Sequence, residues 1–243
     1  MALYKQPHTA QSGARVSEFD AGLRAYMLKI YNYMASALVL TGLVAYFAST
    51  SSAFMGLMVT PQGGLSVTAY VLMFAPLGVV FYLSARIHAM SEGAAQAWFW
   101  GYAALMGLSL WSVFVVFTGE SIVRTFFITA VSFGGLSLYG YVTKRDLSGF
   151  GSFLVMGVIG LLVASVVNIF LQSSAMQFII SVLGVLIFAG LTAYDTQRLK
   201  VSYYQLSQYG ASLGKAAIMG ALQLYLDFIN MFMFLLQFFG DRR

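Results

Sequence analysis

The sequence contains no cysteine and only two histidines, and each shortage excludes a kind of chemistry. Without cysteine there is neither a disulfide framework nor thiolate chemistry, and the redox state of the compartment stays open. The two histidines are His8 and His88. A zinc-dependent membrane hydrolase is therefore disfavoured, because such sites draw mainly on histidine and cysteine.

Charge is also scarce. Charged residues make up 9% of the chain, against the roughly one quarter that soluble domains carry. The chain is 60% hydrophobic with a mean hydropathy of +0.81 and 24 glycines, a composition typical of polytopic membrane proteins. The first predicted partner is therefore the lipid bilayer. The formal net charge of +5 does not indicate a nucleic-acid partner, because basic residues of such proteins belong first to the loops between spans.

Seven apolar stretches are long enough to cross a hydrocarbon core of about 30 Å as helices. They cover residues 30–48, 65–85, 97–117, 125–142, 150–171, 176–194 and 216–239. Barrel strands are excluded because the stretches are too long and too uniformly apolar. The predicted fold is an all-α integral membrane protein, a bundle of seven transmembrane helices over residues 27–243. Residues 1–26 carry five charged residues and no signal-peptide pattern, and are predicted to form a cytoplasmic N-terminal tail.

The distribution of lysine and arginine predicts the orientation of the bundle. With the N-terminus in the cytoplasm, ten basic residues lie on the cytoplasmic side and three on the other side. The three are Arg124, Arg242 and Arg243. We therefore expect the N-terminus inside and the C-terminus outside.

A carboxylate, Asp227, lies inside the last apolar run, "ALQLYLDFINMFMFLLQFFG". An ionised aspartate near the centre of a span costs roughly 2.5 to 3.5 kcal/mol, so it normally faces protein or water and has a partner. Helical spacing places Gln223, Asp227, Asn230 and Gln237 in one polar stripe. The three amides either line an ion pathway or join this helix to its neighbours by interhelical hydrogen bonds.

A second aspartate, Asp195, ends the sixth run in the segment "GLTAYDTQRLK". It is either a solvated helix-terminal residue paired with Arg198 or the partner of Asp227. The second interpretation requires the two aspartates to lie at the same depth in the membrane. Asp195 lies at the end of its run, whereas Asp227 lies about 16 Å inside its own. This difference in depth shrinks if the sixth helix continues past Asp195 and the seventh begins in the cytoplasm. Arg86, in "FYLSARIHAM", ends the second run on the same side as Asp195 and is otherwise an ordinary positive-inside residue.

Three segments carry a resemblance to a known family: "SLYGYVTKRDLSGFG", "GLTAYDTQRLK" and "ALQLYLDFINMF". The sequence resembles the transmembrane Bax inhibitor motif family, also called the Bax inhibitor-1 family, and its bacterial members in particular. The match covers nearly the whole chain. It implies seven helices with the last at the centre, and a location in the bacterial inner membrane.

The resemblance also implies an activity, a pH-sensitive calcium leak. In that picture Asp195 and Asp227 share a proton, and Arg86 latches the pore by ion pairing. Some relatives carry an acidic residue midway along the second helix, where this chain has Ala75 and Pro76. This departure argues against an ion-coordinating role for that helix.

The physical chemistry of such a pair agrees with the implied activity. Two neighbouring carboxylates in a low dielectric cannot easily both ionise, so the pair holds one shared proton that acts as a switch. Calcium prefers about six to eight oxygen ligands, so Asp195 and Asp227 with amides, carbonyls and water would form only a weak site. Weak binding suits conduction. No further cofactor and no enzymatic activity are predicted.

Other classes remain to be weighed. The main alternative is a non-conducting membrane scaffold that regulates a membrane protease or another membrane protein through its helices. An intramembrane aspartyl protease is disfavoured, because its second aspartate lies in a Gly-x-Gly-Asp setting and this chain has "LYLD". A retinal protein would need a lysine inside a span, whereas Lys215 precedes the seventh run.

Overall fold

The structure is a computed structural model that describes residues 8–208 and 212–243, with side chains from residue 20 onward in those ranges. Nine α-helices lie in this part of the chain. They are α1 (His8–Thr50), α2 (Ser52–Met58), α3 (Val67–Arg86), α4 (Glu92–Ser109), α5 (Trp111–Val116), α6 (Gly119–Val142), α7 (Ser148–Leu171), α8 (Ser174–Gln208) and α9 (Leu213–Phe239).

Seven segments of the described chain are long and apolar enough to cross a membrane, which confirms the predicted seven-helix fold. They are Asp20–Thr50, Val67–Ala89, Glu92–Val116, Gly119–Val142, Ser148–Leu171, Ser174–Gln208 and Leu213–Phe239. The short α2 lies between the first two spans, and α5 continues the third span after an interruption at Leu110.

Two boundaries differ from the sequence prediction. α8 continues to Gln208, well past the predicted end of the sixth run at residue 194, because a helix that leaves the bilayer no longer has to be apolar. The helix of the first span, α1, begins at His8, inside the predicted tail, and Leu23 and Tyr26 are buried in the core. The helical body therefore starts before residue 27. Residues 1–7 of the predicted tail lie outside the described residues, and its cytoplasmic location stays a prediction.

α9 is the most buried of the seven spans. Of its most apolar window 67% is buried, against 11% to 33% for the other six. It packs mainly against α8 and also against α1, α6 and α4. The central position of the last helix in the bundle stays a prediction. α7 has the lowest buried share, and its exposed apolar side chains suit contact with lipid.

Serine and threonine side chains mark several helix starts. Ser66, Ser91 and Ser212 each accept a hydrogen bond from a backbone N–H of the first turn of α3, α4 and α9. Thr118 does the same for α6. Such caps satisfy donors that have no partner within the helix, typically contributing about 1 kcal/mol each. The capping residues therefore mark where the loops end and the helices begin.

The approach of α6 to α8 depends on a glycine. At Gly140 of α6, a side chain would overlap the backbone carbonyl of Ala193 of α8. Ala193 lies two residues before Asp195, so this contact helps to position the segment that carries the aspartate. By contrast, a Cβ at Gly135 of the same helix would meet nothing within 4 Å.

We expect Gly140→Ala to destabilise the bundle by about 1 to 3 kcal/mol, because overpacking against a backbone atom forces α6 and α8 apart. Gly135→Ala is the matched control, and its effect is expected to be neutral or stabilising by up to about 1 kcal/mol, through helix propensity alone. Both can be compared by unfolding in a detergent–denaturant mixture. Equal stability of the two variants would show that the α6–α8 contact is not tight.

Candidate functional site

The predicted pair, Asp195 of α8 and Asp227 of α9, lies side by side inside the bundle. Asp195 lies 13 residues before the end of α8, and Asp227 lies 14 residues after the start of α9. Because the two helices are antiparallel neighbours, these positions have the same depth. Each aspartate is only 4% exposed. The two carboxyl groups are close enough to interact electrostatically.

One oxygen of this pair lacks a partner. Asp227 Oδ2 is buried and forms no hydrogen bond within the described parts of the chain. A buried, unpaired carboxylate is costly, so such a group keeps a proton, binds a cation or opens to water. A single proton on the pair would let one carboxyl group donate to the other and would remove one of the two charges.

A cavity of about 750 Å³ with both polar and apolar side chains in its lining lies beside the pair, although neither aspartate lines it. It lies among α1, α3, α8 and α9, and His88, Arg198, Ser202 and Lys215 line it toward the end of the bundle where α8 meets α9. At its inner end is Gln223, one turn before Asp227 on α9. The Gln223 side chain lies close enough to Asp195 to interact with it. The cavity therefore ends close to the pair, at Gln223.

Beyond the pair, α9 is tightly packed. Phe228, Met231, Phe232 and Leu235 are all buried on the two turns that follow Asp227. Aromatic side chains of α6 pack here, and Phe126 and Phe133 both contact Phe228. Passage of an ion past the pair toward the far end would therefore require these side chains to move.

The other two members of the predicted polar stripe have different surroundings. The Asn230 amide donates to the carbonyl of Leu226 in its own helix. Gln237 accepts a hydrogen bond of 2.6 Å from Gln177 of α8, and Gln177 in turn accepts one from Asn168 of α7. Gln237 thus joins three helices in this conformation. Its role in an ion pathway, like that of Asn230, stays a prediction.

The cation that interacts with Asp195 is Arg198, three residues further along α8. Arg86 is exposed at the end of α3. The ion pairs among the described residues are Lys29–Glu92 and Arg124–Asp241, so the predicted pairing of Arg86 with Asp195 is absent from this conformation. Asp195 is buried between helices, whereas the Arg86 guanidinium is solvated at a helix end.

A hydrogen-bonded chain next to the pair has no counterpart in the sequence prediction. The Tyr31 hydroxyl of α1 hydrogen-bonds the Ser137 hydroxyl of α6, and Ser137 lies 2.9 Å from the hydroxyl of Thr196 on α8. Thr196 follows Asp195 directly. The chain therefore links α1 and α6 to the segment that carries the pair. A sequence offers no signal for it, because each member is a common residue in an unremarkable context.

The part of the chain that the structure describes holds no cluster of three or more His, Cys, Asp or Glu residues that could bind a metal ion. The carboxyl and amide side chains described at the pair are Asp195, Asp227 and Gln223. This set is too small for a permanent calcium site, which takes about six to eight oxygens.

Comparison with known proteins adds three findings. A family model described as inhibitor of apoptosis-promoting Bax1 matches residues 23–243. The chain is 51% identical to an uncharacterized protein of Caulobacter vibrioides over 92% of this chain and 91% of that protein. It is 48% identical to the inner membrane protein YbhL of Escherichia coli, over 92% of this chain and 94% of that protein.

Proposed function

The chain belongs to the Bax inhibitor-1 family, and on this premise we propose that it is a pH-sensitive calcium leak channel in which Asp195 and Asp227 form the pH sensor. The family match extends over all seven spans, and the fold is compatible with a membrane channel or transporter. The named relatives carry no enzymatic name, and we propose no catalytic role for the pair.

One observation carries this proposal. Two buried carboxyl groups from adjacent spans are close enough to interact, and Asp227 Oδ2 has no hydrogen-bond partner in the described chain. Carboxyl groups are not needed to join two helices, because amides or hydroxyls form interhelical hydrogen bonds at a lower free-energy cost of burial. In the proposed function, the cavity that ends at Gln223 would supply the pair with water, protons and ions.

The proposed mechanism is an exchange of charge at the pair. With one shared proton the pair carries a single negative charge, and loss of that proton adds a second charge in a medium of low dielectric. The added charge attracts either a calcium ion from the cavity or a nearby arginine. Protonation releases the arginine, so the leak is expected to rise as the pH falls. Calcium is the cargo of this site, not a resident cofactor.

Two arginines are candidates for the cation that holds the closed state. Arg198 already interacts with Asp195 in this conformation. Arg86 would need a second conformation in which the end of α3 moves toward the pair. We propose Arg86 as the latch of that second conformation and Arg198 as the cation that a permeating ion meets first.

The experiment that tests the proposal is calcium flux into liposomes that contain only the purified protein, measured with an enclosed calcium dye across a pH series. The proposal expects a calcium signal that depends on the protein and changes with pH. Absence of flux at every pH, from protein shown to be folded and inserted, would contradict it.

For the location, we propose the bacterial inner membrane with the N-terminus in the cytoplasm and the C-terminus outside. The relative YbhL is named an inner membrane protein, and the ten-to-three division of basic residues supports this orientation.

Reporter fusions test the orientation. Alkaline phosphatase fused after Arg243 is expected to be active, because this enzyme works only after export. Green fluorescent protein at the same position is expected to be dark, because it fluoresces only in the cytoplasm. Fusions after Lys144, in the loop between the fourth and fifth spans, serve as the control with the reverse pattern. A cytoplasmic signal after Arg243 would contradict the proposed orientation.

The alternative, a non-conducting scaffold for a membrane protease or another membrane protein, is favoured by one observation. Gly134, Gly135 and Gly160 lie on α6 and α7, and a Cβ at any of them would meet nothing within 4 Å. Such open small residues allow a helix of another protein to approach closely. The flux experiment separates the two functions, since a scaffold gives no signal in liposomes that contain this protein alone.

A further inference from the structure

A groove on the outside of the bundle is distinct from the aspartate pair and its cavity. It lies between α1 and α6, has a volume of about 670 Å³ and is lined almost entirely by apolar side chains. α1 packs against α4 and α9, and α6 packs against α8 and α9, so Phe228 of α9 forms part of the floor. Leu28, Val39 and Leu138 line the groove and are exposed, which opens it to lipid.

The dimensions of the groove match an acyl chain. On α1 its lining runs from Arg24 to Val39, a rise of about 22 Å at 1.5 Å per residue. On α6 it runs from Phe126 to Tyr141, which is equally long. The groove is therefore a narrow channel parallel to the helices. Its volume falls in the range of about 300 to 1,000 Å³ that is typical of small-molecule sites.

Arg24 is the one charged residue in the described lining of this groove, and it lies at one end. The ion pairs found among the described residues do not involve it. Lys200 lies beside Tyr141 at the same end, where its ammonium group donates to the Tyr141 carbonyl and lies 5.1 Å from the centre of the ring. Arg24 lies six residues before the apolar run of the first span at residues 30–48, a position expected at the membrane–water boundary, where phospholipid headgroups lie.

We propose that this groove binds one anionic glycerophospholipid, with an acyl chain along Phe133 and Phe228 and the phosphate at Arg24. The apolar lining cannot select a ligand by itself, because the tails of the surrounding lipids are equally apolar. Selectivity comes from the charge at Arg24 and Lys200, and the groove supplies the fit. The site takes no part in the proposed calcium leak, so a failure of either proposal leaves the other unaffected.

Two glycines on α6 give a matched pair of variants. Gly134 lines the groove and Gly135 does not, and a Cβ at either meets nothing within 4 Å. Gly134→Leu fills the groove without disturbing a packed contact, whereas Gly135→Leu adds the same side chain elsewhere on the helix. For the charge, Arg24→Gln has Arg145→Gln as its control, because Arg145 is exposed in the loop after α6 and lies outside the groove.

The measurement is native mass spectrometry of the purified full chain in detergent, titrated with palmitoyl-oleoyl phosphatidylglycerol or with phosphatidylcholine of the same chains. We expect one phosphatidylglycerol to bind in preference to phosphatidylcholine. Arg24→Gln is expected to lower the affinity for phosphatidylglycerol about fivefold, the usual contribution of one basic residue near an anionic lipid, and to spare phosphatidylcholine. Gly134→Leu is expected to abolish binding of both lipids at the groove. The controls Gly135→Leu and Arg145→Gln are expected to bind both lipids like the unaltered protein.

Three results would overturn the proposal. The first is equal binding of the two lipids to the unaltered protein. The second is an equal effect of Gly134→Leu and Gly135→Leu. The third is a dimer in the spectra that Gly134→Leu dissociates, which would identify a second copy of the chain as the occupant. Thermal unfolding of each variant confirms that a loss of lipid is not a loss of fold.

Discussion

Asp227→Asn is expected to remove most of the pH dependence of calcium flux while leaving the fold intact. Asparagine keeps the size and hydrogen bonding of the side chain but cannot share a proton with Asp195, so the switch is lost. Carboxyl groups that touch in a buried site interact by more than one pK unit, or about 1.4 kcal/mol, which corresponds to a tenfold effect. The measurement is the pH series of flux in liposomes, with thermal unfolding as the check of the fold.

The double variant makes this prediction specific. If Asp195 and Asp227 titrate as one unit, changing both to asparagine adds little to either single change, with a coupling of about 0.5 to 3 kcal/mol. If the two single variants shift the pH profile independently and their effects sum, the two aspartates do not share a proton.

Asp146→Asn is the control for a carboxylate outside the pair. Hydrogen bonds from the side chain and backbone of Ser148 lower the pKa of Asp146 below its ordinary value. A lowered pKa keeps this carboxylate ionised throughout the physiological range. Its removal is therefore expected to leave the pH dependence of flux unchanged.

Arg86→Ala is expected to raise the basal calcium leak about fivefold, because a latch of about 1 kcal/mol would no longer hold the closed state. Arg198→Gln is measured beside it, since Arg198 is the cation that interacts with Asp195 in this conformation. Lys144→Ala, at the same end of the bundle, controls for the loss of a basic residue.

The comparison of these variants identifies the latch. A leak that rises with Arg86→Ala requires a conformation in which α3 approaches the pair. A leak that responds to Arg198→Gln alone would leave Arg86 as an ordinary positive-inside residue. No response to either variant would contradict an arginine latch altogether.

Hydropathy predicts the seven spans because lipid imposes a minimum length and an apolar composition on each of them. The same rule places the end of the sixth span at residue 194, although α8 continues to Gln208. The part of α8 after residue 194 is polar, and hydropathy cannot distinguish a polar helix from a loop. This extension is also what brings Asp195 to the depth of Asp227, so the site depends on a boundary that composition does not mark.

Helical spacing places Gln223 and Gln237 on one face of α9 but says nothing about their neighbours. The two residues are about 21 Å apart along the axis. Gln223 lies at the inner end of a cavity, and Gln237 bonds Gln177 of α8. The groove between α1 and α6 is equally invisible in the sequence, because it depends on where two helices that are distant along the chain diverge.

The central claim is that Asp195 and Asp227 share one proton, and infrared difference spectroscopy tests it most directly. A protonated carboxyl group has a C=O stretching band that an ionised one lacks, so a pH titration of the reconstituted protein follows the shared proton itself. The account predicts one such band that titrates together with calcium flux. In Asp227→Asn and in Asp195→Asn this band is expected to disappear, and the remaining carboxyl group is expected to titrate as a single acid. A band that persists in the double variant, or a flux that changes with pH while no carboxyl band titrates, would contradict it.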